Sequence, residues 1–296
     1  MCQDIISKIF SKNMAIDKGL YLVSTPIGNV NDITIRAIKI LNCSDTIVCE
    51  DTRVSKKLFS HLGLPAKKKK WLIYNDHSNS KDITKVLNEL DKDKVISLIS
   101  DAGTPLISDP GYKLIKRIKQ SRHNIFSLPG PCSAIASLII SGLKTDKFSF
   151  LGFLPKNKSD YIGTIRDYAK LNCSLIIYEK PKRLIFFLEI IKENFKFFKL
   201  AIVKELSKFY EDFFFVTEEN IDNFLKTPKK VRGELTIIAE LSDSDKKIYS
   251  DQEIIDELKK LKPSQVSAML SKSSSQSRDI LYKRCMSLLN EKFLKK

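Results

Sequence analysis

The chain is 296 residues long, 43% hydrophobic and 29% charged, with a formal net charge of +16, enough apolar content for two compact domains with their own cores rather than a disordered or peptide-sized chain. Its six cysteines are scattered without a CxxC pair and it has only three histidines, so neither a disulfide framework nor a zinc or other metal site is expected. No apolar run reaches the roughly 20 residues that cross a bilayer.

In chain order, residues 1–17 read as an N-terminal tail. MCQDIISKIFSKNM carries an early acid and lacks an apolar signal core, which argues against an export signal and leaves Met14 as an alternative start. Leu20 to Asp32, LYLVSTPIGNVND, is an apolar strand running into a Pro and Gly loop, followed by a helical stretch over Ile33 to Leu41. Lys67 to Lys70 precede Trp71. Val95 to Gly111, VISLISDAGTPLISDPG, repeats the pattern: a strand that reads as buried on both faces, then a loop in which Gly103 permits close backbone approach and Asp101 and Asp109 can accept hydrogen bonds. Ile125 to Ala134, IFSLPGPCSA, is a third such unit, leading into the apolar Ile135 to Ile140. Turn chemistry alone accounts for one such loop. Three of them predict a single pocket at the carboxyl ends of sheet strands.

The alternation predicts a parallel-rich α/β domain over 18–128. A second α/β domain with more antiparallel pairing is expected over 129–242, from strands at Ser174 to Tyr178, Leu200 to Val203, Phe213 to Val216 and Leu235 to Ala239. A polar linker begins near Ser242, and 243–296 carries three short helices, at Asp251 to Lys262, Pro263 to Lys272 and Ser277 to Asn290. Lys259, Lys260, Lys262, Lys272, Arg278, Lys283 and Arg284 decorate that module, either to hold RNA or as the solvated face of a structural cap. The net charge likewise fits a polyanionic partner or a lysine-rich composition set by an AT-rich genome.

Taken together, STPIGNVNDIT, CEDTRVSKKLF, SDAGTPLISDPGY, LPGPCSAI, GFLPK and RGELTII resemble, in order and over roughly Lys18 to Glu240, the tetrapyrrole methylase superfamily and within it the ribosomal small-subunit methyltransferase I branch. The resemblance implies two α/β domains with a cofactor cleft between them, plus a small C-terminal helical module. It also implies S-adenosylmethionine-dependent 2′-O-methylation of a cytidine in the decoding region of 16S rRNA within the small ribosomal subunit, by a cytoplasmic homodimer with no membrane partner.

Carried onto this sequence, the resemblance places Pro26, Asp101, Ala102, Gly103, Leu106, Ile107, Ser108, Ser133 and Ala134 around S-adenosylmethionine, with Phe153, Tyr178, Leu206, Ser207, Glu234, Leu235 and Thr236 completing the cleft. The chain has no GxGxxG, which argues against a Rossmann-type methyltransferase but not against this family. Glu50, Asp51, Asp76, His77 and Glu205 each follow a predicted strand and are candidates to take the hydroxyl proton. Asp51 can equally be an ion-pair partner of Arg53, and His77 a loop cap. Arg53, Lys182 and Arg183 are candidate phosphate contacts, joined by Arg278, Lys283 and Arg284 of the tail. The chain departs from the branch at His77, Ser78 and Asn79, where relatives read HNE, and at Glu179 to Arg183, where they read ES, two residues and Arg.

Two other readings stay open: a small-molecule methylase of the precorrin type, which has no use for a basic tail, and a non-catalytic RNA-binding factor, which predicts damaged cofactor loops.

Overall fold

A computed structural model describes residues 16–226, 232–242, 249–271, 274, 276 and 278–293. The expected tail before residue 16, most of the linker over 243–248, and Lys272 lie outside them.

The first sheet joins β1 (Gly19–Val23), β2 (Thr46–Cys49), β3 (Lys70–Ile73), β4 (Val95–Ile99) and β5 (Ile125–Leu128), all parallel, in the order β3-β2-β4-β1-β5. β2 and β4 are buried along their whole length, which is why they read as unbroken apolar runs: alternate side chains serve cores on opposite faces. Ile47, Cys49, Val95 and Ile99 pack on one side with Ala37, Ile40 and Leu41 of α1 (Ile35–Cys43) and Phe59 of α2 (Thr52–His61). Val48, Ile96 and Leu98 pack on the other with Val86 and Leu90 of α3 (Ser80–Leu90) and Leu114 and Ile118 of α4 (Tyr112–Lys119).

The helix expected from Ile33 begins at Ile35, because Thr34 caps it by accepting the Ala37 N–H at 3.1 Å while Val30–Asp32 forms a 3₁₀ turn. Asp51 caps α2 through the Arg53 N–H, and Asn79 with Asp82 forms a capping box on α3.

The second sheet joins β6 (Phe148–Phe153), β7 (Ser174–Glu179), β8 (Phe197–Lys204), β9 (Asp212–Thr217) and β10 (Leu235–Ser242) in the order β6-β7-β10-β8-β9. Only β6 and β7 run parallel; the other three pairings are antiparallel. Its larger core lies against α6 (Lys158–Ala169) and α7 (Leu184–Asn194), through Tyr161, Ile165, Phe187 and Leu188. Its other face is covered in part by α5 (Ser133–Ile140), where Ala134 and Leu138 meet Ile176, Ala201 and Ile238. The short α8 (Ile221–Lys226) follows β9.

The tail folds as α9 (Asp251–Leu258), α10 (Pro263–Leu270) and α11 (Arg278–Phe293) around Ile254, Val266, Leu270, Leu281 and Cys285. None of the described helices is long and apolar enough to cross a membrane.

Candidate active site

In the strand order of the first sheet, the chain leaves β1 toward β2 on one side and leaves β4 toward β5 on the other, so a crevice opens between the carboxyl ends of β1 and β4. The loops on its two sides are joined. Thr25 N–H donates to Gly103 O at 2.9 Å, and Gly103 N–H to Thr25 O at 3.1 Å. The Thr104 hydroxyl donates to Pro131 O at 2.9 Å and lies 3.0 Å from Ser24 Oγ, which binds the loop after β5 to the same cluster. Three loops that read alike in the sequence are thus one hydrogen-bonded unit.

A cavity of about 400 Å³ lies between that unit and the second sheet, a size suited to a small-molecule ligand. Ile27, Ile107, Val203, Leu206 and Leu235 give it apolar walls, while Asp101, Ser133, Tyr178, Glu234 and Thr236 add polar groups. Ser133 Oγ and the Tyr178 hydroxyl, 2.6 Å apart, close the floor, and the Phe150 and Phe153 rings hold the tyrosine at centroid distances of 5.2 and 5.6 Å. Burial pushes the Tyr178 hydroxyl above its ordinary pKa, keeping it neutral.

Carboxylates gather on the β2, β3 and β4 side. Asp109 lines the cavity, and its carboxyl is pushed up to about 6 by burial and by Glu50, Asp101 and Asp76, against the hydrogen bond from Ser100. Glu50 and Asp101 are also raised, mainly by burial. Among the described residues no cluster of His, Cys, Asp and Glu has the arrangement of a metal site.

The profile of the tetrapyrrole (corrin/porphyrin) methylases matches residues 19–222. A ribosomal RNA small subunit methyltransferase I of Rickettsia prowazekii is 41% identical over 227 residues, 76% of this chain and 79% of the relative. One from Hydrogenobaculum is 38% identical, over 74% of this chain and 94% of the relative. The chain belongs to the ribosomal RNA small subunit methyltransferase I family of tetrapyrrole methylases. The same fold is seen in the uroporphyrin-III C-methyltransferase of Thermus thermophilus in complex with S-adenosylhomocysteine, with a TM-score of 0.51 at 16% identity over 74% of this chain and 96% of that one.

Of the residues expected at the cofactor, Asp101, Ala102, Gly103, Ile107, Ser108, Ser133, Phe153, Tyr178, Leu206, Glu234, Leu235 and Thr236 line the cavity. Four do not. Ala134 lies one residue round α5 from Ser133 and faces the second sheet. Leu106, at φ +72°, turns into the core beneath α3 and α4. Ser207 hydrogen-bonds Asp32 and Glu211, and Pro26 is half-buried outside the lining. Sequence reasoning missed Ile27, Thr104, Cys132, Val203 and Gly233; the strand-end residues Glu179, Lys180 and Pro181, expected at the cleft edge rather than at the cofactor, also line it. For that last trio the departure from the family pattern was the available signal.

Of the proposed proton acceptors, Glu50, Asp51 and Asp76 share the carboxylate cluster, while Glu205 is held elsewhere. Asp51 is held at a pKa of about 2 by hydrogen bonds from the Arg53 side chain and backbone. Asp76 and His77 are exposed on the loop after β3, the His77 N–H donating to Asn75 at 3.1 Å. Burial works against charge on Glu205, but the Glu234 N–H at 2.7 Å and Lys208 Nζ at 3.0 Å outweigh it, so its pKa is lowered and its carboxylate is spent on the loop. Glu50 and Asp76 are the two candidates near enough to Asp109 to help raise it, Glu50 with the larger effect.

The basic candidates fall into two sets. Arg53 and Lys182 are exposed near the cavity rim. Arg183 is packed instead, its guanidinium 4.8 Å from the Tyr161 ring centre, donating to Pro155 O at 3.1 Å and 3.7 Å from Glu179. Arg278 and Lys283 are exposed on α11, whereas Arg284 pins α11 to Asp251 at 2.6 Å and to Tyr249 O.

Proposed function

We propose that the protein transfers the methyl group of S-adenosylmethionine to the ribose 2′-hydroxyl of a cytidine in the decoding region of 16S rRNA, within the small ribosomal subunit in the cytoplasm. The observation that carries this reading is that twelve residues scattered from Asp101 to Thr236 line one cavity of about 400 Å³ between the two sheets. The donor set fits the cofactor: an apolar slot for adenine, hydroxyls and carboxylates for its sugar and amino-acid ends, and Gly103 and Gly233 at positive φ in the lining, where a side chain would be strained. Bound there, S-adenosylmethionine would supply an electrophilic methyl carbon for attack by the hydroxyl oxygen, the thioether S-adenosylhomocysteine leaving as the carbon–sulfur bond breaks.

The chain's own contribution is to position the hydroxyl and to accept its proton. Asp109 suits the second task, because a carboxyl titrating near 6 is largely ionised at neutral pH yet more basic than an ordinary one. Arg53 and Lys182 at the rim, and Arg278 and Lys283 on α11, supply phosphate contacts.

A homodimer is proposed on the exposed apolar face of α5, which supports such a contact. Ile135, Ile139 and Ile140 are exposed there. Beside them, Phe213 and Phe215 of β9 stand opposite Val203 and Ala201, on the sheet face that α5 covers only in part.

Incubation with labelled S-adenosylmethionine and small subunits from a strain lacking its own enzyme tests the reading. One ribose-methylated cytidine in the decoding region is the expected product; methyl transfer to a tetrapyrrole precursor and none to RNA would overturn it.

A further inference from the structure

The loop between β8 and β9 has an unusual construction. It carries two adjacent aromatic side chains, Phe209 and Tyr210, that are 93% and 71% exposed, the first almost as open as a side chain can be. Large apolar rings are normally drawn into a core, and a mobile loop would let them fold back onto one. This loop is held. Glu205 N–H donates to Glu234 O at 2.9 Å and the Glu205 carboxylate takes the Glu234 N–H. Lys208 Nζ bridges Glu205 and Glu234, 3.0 Å from each. Ser207 is fixed by the Glu211 carboxylate and by Asp32 of the loop after β1. Glu205 and Ser207 both sit at positive φ, +51° and +66°. Strained residues persist where surrounding contacts over-determine them, and such places cluster at ligand-binding sites.

The loop is also part of the cavity wall. Leu206 lines it, and the Lys208 side chain packs so tightly on Gly28 that a Cβ there would fall 2.5 Å from Lys208 Cγ. The two rings are carried by this same loop, perpendicular to each other at a centroid separation of 5.0 Å.

We infer that Phe209 and Tyr210 form a stacking platform for bases of the substrate RNA that flank the ribose being methylated. A protein that reads single-stranded RNA splays its bases onto aromatic faces, and exposed rings on a pinned loop that forms part of the cavity wall are placed for that. The loop's own charges fit this better than phosphate binding: Lys208 is consumed by two carboxylates, Glu211 accepts the Ser207 N–H and Asp212 lies 3.8 Å from Lys204, which leaves the rings as the groups the loop offers. A subunit contact is the competing use of the pair, since Phe213 and Phe215 of the proposed dimer face follow on β9; the mass of the double variant in solution decides between the two. The inference rests on the RNA substrate proposed above.

The test uses the full chain with small ribosomal subunits. In the double variant Phe209→Ala, Tyr210→Ala, kcat/KM for methyl transfer should fall roughly 10- to 100-fold, the size expected from loss of base stacking, while calorimetric affinity for S-adenosylmethionine and the mass in solution stay at wild-type values. Phe209→Trp should retain transfer, whereas Phe209→Leu, apolar but without an aromatic face, should not. Wild-type transfer by the double variant overturns the platform. So does a drop in its mass or cofactor affinity, which would make the pair an intersubunit or structural element. If the wild-type protein methylates no RNA, the functional reading itself has failed and the platform falls with it.

Discussion

Thr25 and Gly103 exchange both of their backbone hydrogen bonds across the gap between β1 and β4, although 78 residues separate them. The bridge sets the width of the crevice and leaves the Gly103 Cα facing Ile27, a residue of the cavity wall. Gly103 has φ +81°, and a Cβ added there would lie 3.2 Å from Ile27 Cγ2. A β-branched residue is therefore disfavoured twice, by backbone conformation at about 1 to 2 kcal/mol and by contact. Gly103→Val should leave a folded protein with lowered Tm and no S-adenosylmethionine binding measurable by calorimetry; wild-type affinity would remove Gly103 from the cofactor site.

Asp109 joins stability to activity. Its pKa of about 6 in the folded protein lies above the ordinary carboxylate value, so between those two pH values the folded state holds more proton than the unfolded one. The protonated carboxyl is tolerated at low pH, and stability is lost as pH rises through 6. Asp109→Asn removes that loss. The variant should be more stable than wild type by about 1 to 2 kcal/mol at pH 8, after allowance for solvent screening, and equal to it near pH 4. If Asp109 accepts the hydroxyl proton, kcat should fall on the order of 10²- to 10⁴-fold. Thermal unfolding at the two pH values checks the first claim, and single-turnover methyl transfer the second.

Glu179 is 3% exposed and accepts the Tyr161 hydroxyl at 2.7 Å and the Lys180 N–H at 2.8 Å. Its carboxylate raises the tyrosine pKa further, after the larger effect of burial. Removing the hydroxyl in Tyr161→Phe leaves a buried carboxylate one partner short, at a cost of about 1 to 3 kcal/mol. Urea unfolding should show a lower midpoint with an unchanged slope.

Ile139 is 68% exposed on the face of α5 that points away from the sheet. An acidic side chain there is harmless to a monomer but unacceptable inside an apolar interface. Ile139→Asp should convert a dimer into a stable monomer in light scattering. Unchanged mass would place the contact elsewhere.

Much of this site was legible because its loops follow buried strands. Leu98 and Ile99 end abruptly at Ser100, and Gly, Pro and Asp stand where a parallel sheet presents its carboxyl edge. Val203 and Gly233 were not legible: they reach the cavity from β8 and from just before β10, strands whose antiparallel register brings distant segments side by side. Ala134 shows the converse limit. It sits beside Ser133 in the motif, yet one residue along a helix is about 100° of rotation, which turns it from the cavity to the core.

The sequence by itself determined the two α/β sheets, the helical tail and the three loops that gather at one edge, since burial pattern and turn chemistry act over a few neighbouring residues. Only the tertiary structure decided which charged groups are free to act. Asp51, Glu205, Arg183 and Arg284 resemble site residues in the chain but are engaged by Arg53, Lys208, Glu179 and Asp251 respectively. Asp109 acquires its raised pKa from burial and from carboxylates on neighbouring strand ends. Desolvation and Coulomb repulsion depend on distances through space, and folding sets those distances.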